Sequence, residues 1–236
     1  MASVVKRTRL FEQIADILEG RIRNHAQPPG SELPSERDLM REFGVGRTAV
    51  REALFHLQRM GLVDLRPGAR ARVAAPTPAA VMSSLAGSAR YLLSAPEGLR
   101  HFQDARLLFE TGLVRDAARM ATDADIARLR AALFANRESI GDLRRFEETD
   151  VAFHFAIATI PQNPIYTSLH SAILEWLVDQ RRVTLHYPGQ NRIAFDAHAA
   201  ICEAIAARDP DLAAARMESH LQQIAGLYWQ VRGSVA

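Results

Sequence analysis

Four side chains in the second half of the chain have the types and spacing of a metal-binding set. Asp150 and His154 are four residues apart, so a carboxylate and an imidazole share one face of a predicted helix. His198 and His220 follow on two further predicted helices, each among apolar neighbours at helical spacing. Three imidazole nitrogens and one carboxylate oxygen suit several divalent ions. The alternative is that each histidine is an ordinary buried core residue, and spacing alone leaves both interpretations open.

Two arginines in the first half have the spacing of a DNA-reading helix. Arg47 and Arg51 lie four residues apart at the start of a predicted helix, so both guanidinium groups project from one face. Such a pair can enter the major groove together and hydrogen-bond the edge of guanine. The alternative is that both arginines face solvent and form ion pairs with Glu42 or Glu52.

The elements around these arginines predict a winged helix-turn-helix. Three short helices are predicted, over residues 10–22, 35–43 and 46–61. Ser35 with Asp38 has the spacing of a capping box, and Gly61 is a typical residue after a helix end. Residues 62–73 then turn at Pro67-Gly68, which predicts a small hairpin, the wing.

Beyond a short linker at 76–78 the sequence predicts helices only. Seven segments have a 3.6-residue period, near 79–94, 98–120, 123–140, 142–160, 164–186, 191–207 and 210–231. We therefore expect a mainly α protein with a DNA-binding domain at 1–75 and an all-helical bundle of about seven helices at 79–236.

Composition and charge agree with this division. The chain has 236 residues, of which 48% are hydrophobic and 24% charged, and one cysteine, which argues against a disordered chain and a disulfide scaffold. Residues 1–75 hold 13 basic and 9 acidic residues, against 16 and 18 in 76–236, so the excess positive charge lies where a polyanion is expected. The sequence has no secretory signal core and no membrane-spanning apolar stretch, so we expect a cytoplasmic protein without a membrane partner.

Residues 33–39 and 46–54 together resemble the signature of GntR-type transcriptional regulators. They read Leu-Pro-Ser-Glu-Arg-Asp-Leu and Gly-Arg-Thr-Ala-Val-Arg-Glu-Ala-Leu. The resemblance implies binding to double-stranded operator DNA, with these expected contacts: Arg37, Arg47, Thr48, Arg51, Gly68 and Arg70. Many members have Gly-x-Gly in the wing, whereas this chain has Gly68-Ala69-Arg70, so Arg70 is an additional expected contact to phosphate or the minor groove.

The helical half resembles the FCD effector domain of the FadR subfamily. Many members carry Asp-x3-His and two later histidines as a metal site, and Asp150, His154, His198 and His220 fall on those positions. The resemblance implies a divalent metal, with zinc as the expected ion and nickel or manganese as alternatives.

The same resemblance implies that the metal holds an acidic effector with the help of an arginine. Arg106 matches that arginine, and its alternative role is an intrahelical ion pair with Glu110. Five further segments, at 68–73, 106–110, 150–154, 160–165 and 209–211, resemble the subfamily members that control sialic acid catabolism. These similarities imply a homodimeric repressor, paired through the C-terminal bundle, that N-acetylneuraminate releases from DNA. Another carboxylate, such as a hexuronate, lactate or acyl-CoA, is the alternative effector.

A metal-dependent enzyme with an appended DNA-binding domain is the third interpretation, because an open metal position activates water. The sequence contains no H-E-x-x-H, G-x-S-x-G or P-loop motif. Glu147, Glu148 and Glu218 are the only nearby candidates for a general base, and nothing marks them as such. We therefore expect a regulator and not an enzyme.

Overall fold

The computed structural model describes residues 9–75 and 77–233, and these residues are mainly α-helical, as predicted. They form twelve helices and one two-stranded sheet. Contacts divide the chain into two compact units, and the division falls between Val81 and Met82. The predicted linker at 76–78 precedes that division, and its first residue, like 1–8 and 234–236, lies outside the described residues.

The first unit has the elements of a winged helix-turn-helix. They are α1 (Leu10–Arg23), α2 (Glu36–Phe43), α3 (Arg47–Arg59), β1 (Val63–Asp64) and β2 (Arg72–Val73). The two strands pair antiparallel, with Val63 opposite Val73, and the loop between them is the wing. The prediction of three short helices and a hairpin is therefore confirmed.

Local signals fix the angle between α2 and α3. The Ser35 side chain accepts a hydrogen bond from the Asp38 backbone N–H at 3.2 Å and caps α2. Gly44 ends α2 in the left-handed conformation, with φ of +65°, which glycine adopts without a Cβ penalty. Leu39 and Val50 are fully buried on the facing sides of the two helices. The opposite side of α3 is thereby left at the surface.

The predicted apolar face of α1 is only partly buried. Ile14, Leu18 and Ile22 lie in the core, whereas Leu10 and Ile17 are 51% and 47% exposed. Because α1 packs mainly against α3, only the side toward that helix is covered.

The second unit is an all-helical bundle. The division between the units falls within α4 (Pro78–Ser84), and the helices of the bundle beyond it are α5 (Ala86–Leu93), α6 (Pro96–Met120), α7 (Asp123–Glu138), α8 (Leu143–Thr159), α9 (Pro164–Trp176), α10 (Val178–Leu185), α11 (Gln190–Ala206) and α12 (Pro210–Gly233). Two predicted helices are each broken in two, at Leu85 and at Leu177. Neither residue is a proline or a glycine, and the apolar period continues through both positions. The sequence therefore has no residue there that predicts a helix break.

The core of the bundle lies between four long helices and α7, which contributes Leu129. α6 packs along α12, α11 packs against α12, and α8 packs against α6. Val114, Phe153, Ile201 and Met217 come from these four helices and are at most 1% exposed. None of the described helices is long and apolar enough to cross a membrane.

The start of α6 passes close to the end of α5. A Cβ on Gly98 would lie 1.9 Å from the backbone oxygen of Leu92, in the last turn of α5. Gly112 lies farther along α6, where a Cβ would meet no atom within 4 Å. The two glycines therefore differ in the space that a side chain would have.

We predict that Gly98→Ala destabilises the protein and that Gly112→Ala stabilises it. The first substitution must move a backbone carbonyl, at a cost of about 1–3 kcal/mol. The second removes a glycine from a helix interior, which contributes about 0.5–1 kcal/mol. Urea denaturation followed by circular dichroism measures both changes. Shifts of the same sign in the two variants would contradict this account of the α5–α6 junction.

Candidate functional site

The exposed face of α3 and the wing enclose a groove of about 680 Å³. Four of the six predicted DNA-contacting residues line it: Arg47, Arg51, Gly68 and Arg70. Gly68 lies in the loop between the strands with φ of +74°, a conformation that favours glycine. The structure thus brings the two arginines of α3 and the tip of the wing to one surface.

The other two predicted contacts lie beside this groove. Arg37 and Thr48 are exposed, and each is the second residue of its helix, α2 and α3 respectively. Thr48 lines a separate hollow with Arg9 and Glu52. Backbone N–H groups at the start of a helix attract phosphate. The positions of Arg37 and Thr48 therefore suit contacts to DNA phosphates more than contacts to the edges of the bases.

One carboxylate holds both arginines of α3. Glu36 Oε2 accepts a hydrogen bond from Arg47 Nε at 2.8 Å, and Glu36 Oε1 lies 3.9 Å from Arg51 Nε. Glu42, one of the two partners expected if these arginines faced solvent, pairs instead with Arg21. The ion-pair partner therefore comes from the start of α2.

A second carboxylate, that of Glu32, pairs with two arginines at the wing. Glu32 lies 2.8 Å from a terminal nitrogen of Arg72 and 3.8 Å from one of Arg70. Exposed ion pairs of this kind contribute only about 0–1 kcal/mol each. Phosphates and base edges can therefore replace these carboxylates at little cost.

Three predicted metal ligands meet in the core of the second unit. One ring nitrogen from each of His154, His198 and His220 lies within 4.8 Å of the other two. The ring centroids are 4.9 to 5.5 Å apart, and no ring is more than 3% exposed. The packing of α8, α11 and α12 therefore converges on these side chains.

Asp150 joins the cluster through His198. Its Oδ1 lies 3.5 Å from His198 Nε2, and α8 holds it one turn before His154. Burial raises the pKa of Asp150 above its usual value because the ionised form loses hydration. A cation in this cluster would compensate that loss.

Hydrogen bonds orient two of the imidazoles from behind. His198 Nδ1 lies 2.9 Å from Asn136 Oδ1, and Asn136 Nδ2 donates to Thr149 Oγ1 at 3.0 Å. His154 Nδ1 lies 3.0 Å from Glu110 Oε2. Because amide and carboxylate oxygens only accept, both Nδ1 atoms donate, and both Nε2 atoms keep a lone pair. This is the arrangement by which proteins orient metal-binding histidines.

The donor set fits a divalent metal. Burial lowers the pKa of His198 and His220 well below the usual value, and the neighbouring imidazoles add to the shift, so both rings are neutral at neutral pH. His198 Nε2 and both nitrogens of His220 are buried without a hydrogen-bond partner in the part of the chain that the structure describes. A buried polar group left in this state costs about 1–3 kcal/mol, which a bound ion would offset.

Arg106 reaches the cluster through Glu110. Its Nε donates to Glu110 Oε1 at 2.6 Å, so the intrahelical pair considered as the alternative to effector contact does form. Burial alone would raise the pKa of Glu110, but the charge of Arg106 and the hydrogen bond from His154 hold it well below its usual value. Among the described residues Arg106 uses only Nε, which leaves its terminal nitrogens for an anion.

Three buried polar residues of this cluster were not predicted as part of a site: Glu110 as a partner of His154, Asn136 and His170. Glu110 had one signal in the sequence, its spacing of four residues from Arg106. Asn136 and His170 had none, because their roles depend on α7 and α9 packing against α8. Burial lowers the pKa of His170 to about 4, against the opposing charge of Glu110.

Comparison with known proteins places both halves of the chain. Residues 10–73 match the gntR family of bacterial regulatory proteins, and residues 102–223 match the FCD domain. The chain is 44% identical to the HTH-type transcriptional repressor NanR of Cronobacter sakazakii, over 92% of this chain and 85% of that protein. It is 43% identical to the NanR repressor of Klebsiella aerogenes, over 96% and 88% of the two chains.

A solved structure supports the same assignment. The GntR protein of Streptococcus agalactiae is similar to 91% of this chain over 98% of its own, with a TM-score of 0.60 and 25% identity. These matches extend across the winged helix-turn-helix and the helical bundle, and the relatives are regulators and not enzymes. The chain therefore belongs to the gntR family of bacterial regulatory proteins, as a DNA-binding transcriptional regulator whose second half is an FCD domain.

Proposed function

We propose that this regulator is a cytoplasmic, homodimeric repressor that an acidic sugar, N-acetylneuraminate, releases from its operator. The observation that carries the proposal is the convergence of His154, His198 and His220 beside the Arg106–Glu110 pair, inside the FCD domain. The sequence identity of 44% and 43% to repressors named NanR supports repression, rather than activation, as the direction of regulation. The resemblance of five segments to sialic-acid-responsive members supports the effector.

The first unit reads the operator. Arg47 and Arg51 enter the major groove, where a guanidinium fork matches the O6 and N7 atoms of guanine. Arg37 and Thr48 contact phosphates, while Gly68 and Arg70 lie at the minor groove. One recognition helix reads only a few base pairs, so two copies of the protein bind paired half-sites through an interface in the second unit.

The second unit holds the effector. Asp150, His154, His198 and His220 would ligate a divalent metal, for which zinc is proposed and nickel or manganese are alternatives. When bound, the metal supplies positive charge for one oxygen of the effector carboxylate. Arg106 pairs with the other oxygen through its terminal nitrogens. This clamp explains why a guanidinium and a group of neutral imidazoles are buried side by side.

Release follows from a shift in population. The effector favours a packing of the bundle in which the two DNA-binding units no longer match the half-site spacing. Such a shift requires that the effector bind this state more tightly than the DNA-bound state. Because residues of α6, α8, α11 and α12 surround the clamp, its occupation acts directly on the helices that form the core.

Gel retardation tests the whole proposal. Metal-loaded protein should retard DNA from upstream of its own gene at fixed salt, and N-acetylneuraminate should abolish the retarded band. After treatment with a chelator, the protein should still bind DNA but lose its response to the sugar. If galacturonate or lactate abolishes the retarded band and N-acetylneuraminate does not, the effector is that other acid. A band that no acid affects would refute release by a carboxylate.

The two sites should separate by mutation. Arg47→Ala should weaken operator binding about 5- to 150-fold, as expected for loss of a base contact worth about 1–3 kcal/mol, with unchanged affinity for N-acetylneuraminate. His198→Ala should lose bound metal and effector but keep operator binding. Fluorescence anisotropy and calorimetry measure the two affinities. If each variant loses both activities, the division into a DNA site and an effector site is wrong.

Glu36→Gln should make DNA binding tighter and less selective. Removing the carboxylate that holds Arg47 and Arg51 frees both guanidinium groups for any phosphate, so affinity for unrelated DNA should rise about fivefold, as expected for an exposed ion pair of about 1 kcal/mol. Glu52→Gln removes the same charge from exposed α3 surface and serves as the matched control. Anisotropy titrations with operator and with unrelated DNA give the ratio of the two affinities for each variant. If the two substitutions have equal effects, Glu36 acts only through the net charge of the unit and not through its pairs with Arg47 and Arg51.

A further inference from the structure

His170 is buried beside the metal cluster with neither ring nitrogen in a hydrogen bond. It lies on α9, is 1% exposed, and its ring centroid is 6.4 Å from that of His154. One of its nitrogens lies within 4.8 Å of a nitrogen of His154 and of a carboxylate oxygen of Glu110. Both nitrogens of His170 are without a partner among the described residues.

This arrangement is costly unless something else binds there. An unpaired polar group in a protein interior loses its water without compensation. An apolar side chain would fill the same place without that loss. A second unpaired group lies on the next helix, where Gln180 is 4% exposed and its Oε1 has no partner in the described chain. Each of these two residues leaves a buried polar atom for a polar ligand to pair with.

The hydrogen bonds of Glu110 argue against a second cation as that ligand, because Arg106 Nε donates to its Oε1 at 2.6 Å and His154 Nδ1 donates to its Oε2 at 3.0 Å. Burial is the main cause of the low pKa of His170, and around it the charges of Arg106 and Arg181 oppose that of Glu110. Arg181 is half-buried on α10 and donates to the Leu174 backbone oxygen at 3.4 Å. An imidazole buried beside these charges stays neutral, with one donor and one acceptor. A hydroxyl group, which also donates and accepts, matches it on both counts.

We propose that His170 hydrogen-bonds a hydroxyl group of the effector and thereby selects hydroxylated acids over simple carboxylates. This inference rests on the proposed effector site. The metal ligands and Arg106 recognise the carboxylate that all candidate acids share. His170 recognises the part of the molecule that distinguishes them.

The test compares His170→Leu with wild type in three measurements. Leucine fills the site without polar atoms, so the ligand-free variant should melt at or above the wild-type temperature and keep its metal content. Calorimetry should show at least tenfold weaker binding of N-acetylneuraminate and galacturonate, whichever the wild type binds. Binding of tetrahydropyran-2-carboxylate, a ring acid without hydroxyl groups, should change less than twofold. His170→Gln keeps a donor and an acceptor and should recover affinity, and exposed His101→Leu is the control for loss of a histidine.

The outcomes separate the two proposals. Equal losses for hydroxylated and hydroxyl-free acids, or no loss for either, would overturn the role of His170 alone. A lower melting temperature together with lost metal would show a structural histidine and also overturn it. Wild-type binding of galacturonate but not N-acetylneuraminate would overturn the proposed effector, while the affinity ratio for galacturonate still decides the inference. If the wild type binds none of the three acids, both proposals fail.

Discussion

The second unit buries imidazoles whose lone pairs have no partner within the described chain. His198 and His220 lie among apolar residues of the bundle core, where none of the described residues pairs with their free nitrogens. A core of this kind is less stable than an apolar core of the same volume until a ligand occupies the nitrogens. Whatever binds there therefore contributes to the free energy of folding of the whole bundle. In the proposed function, this couples effector binding to the packing of the helices.

The surroundings of the cluster keep its geometry fixed. Phe153 stacks on His198 with ring centroids 4.6 Å apart, which covers one face of the imidazole. Behind it, Asn136 and Ser139 are fully buried and both bond to Thr149. Because each outward-facing polar group is paired, rotation of the His198 ring would break hydrogen bonds that no water replaces. The site is therefore oriented before any ligand enters.

Arginine has two different roles in the two units, and burial makes the difference. Arg47 is exposed, and its pair with Glu36 is weak enough for DNA to replace it. Arg106 is 7% exposed, and its pair with Glu110 lies in a medium where an unpaired charge would be costly. The first unit thus keeps mobile charge for a polyanion. The second holds a fixed charge, which in the proposed function pairs with one small acid.

The sequence by itself determined most of the helices, the hairpin, and the helix face that Arg47 and Arg51 share. Ser35 and Gly44 delimit α2 through backbone interactions that span a few residues, and the spacing of Arg47 and Arg51 places both on one face. The same reasoning predicts that Asp150 and His154 share a helix face. These predictions succeed because their physical cause lies within one helix or one turn.

Only the tertiary structure decided which side chains meet. The three histidines come from different helices, and periodicity on each helix says nothing about their separation. Glu36 as the partner of the α3 arginines, Asn136 behind His198, and the unpaired His170 all depend on neighbouring helices. The breaks at Leu85 and Leu177 likewise follow from packing, since neither residue favours a helix end. Contacts between helices depend on how whole apolar faces fit together, and that information is spread over the entire chain.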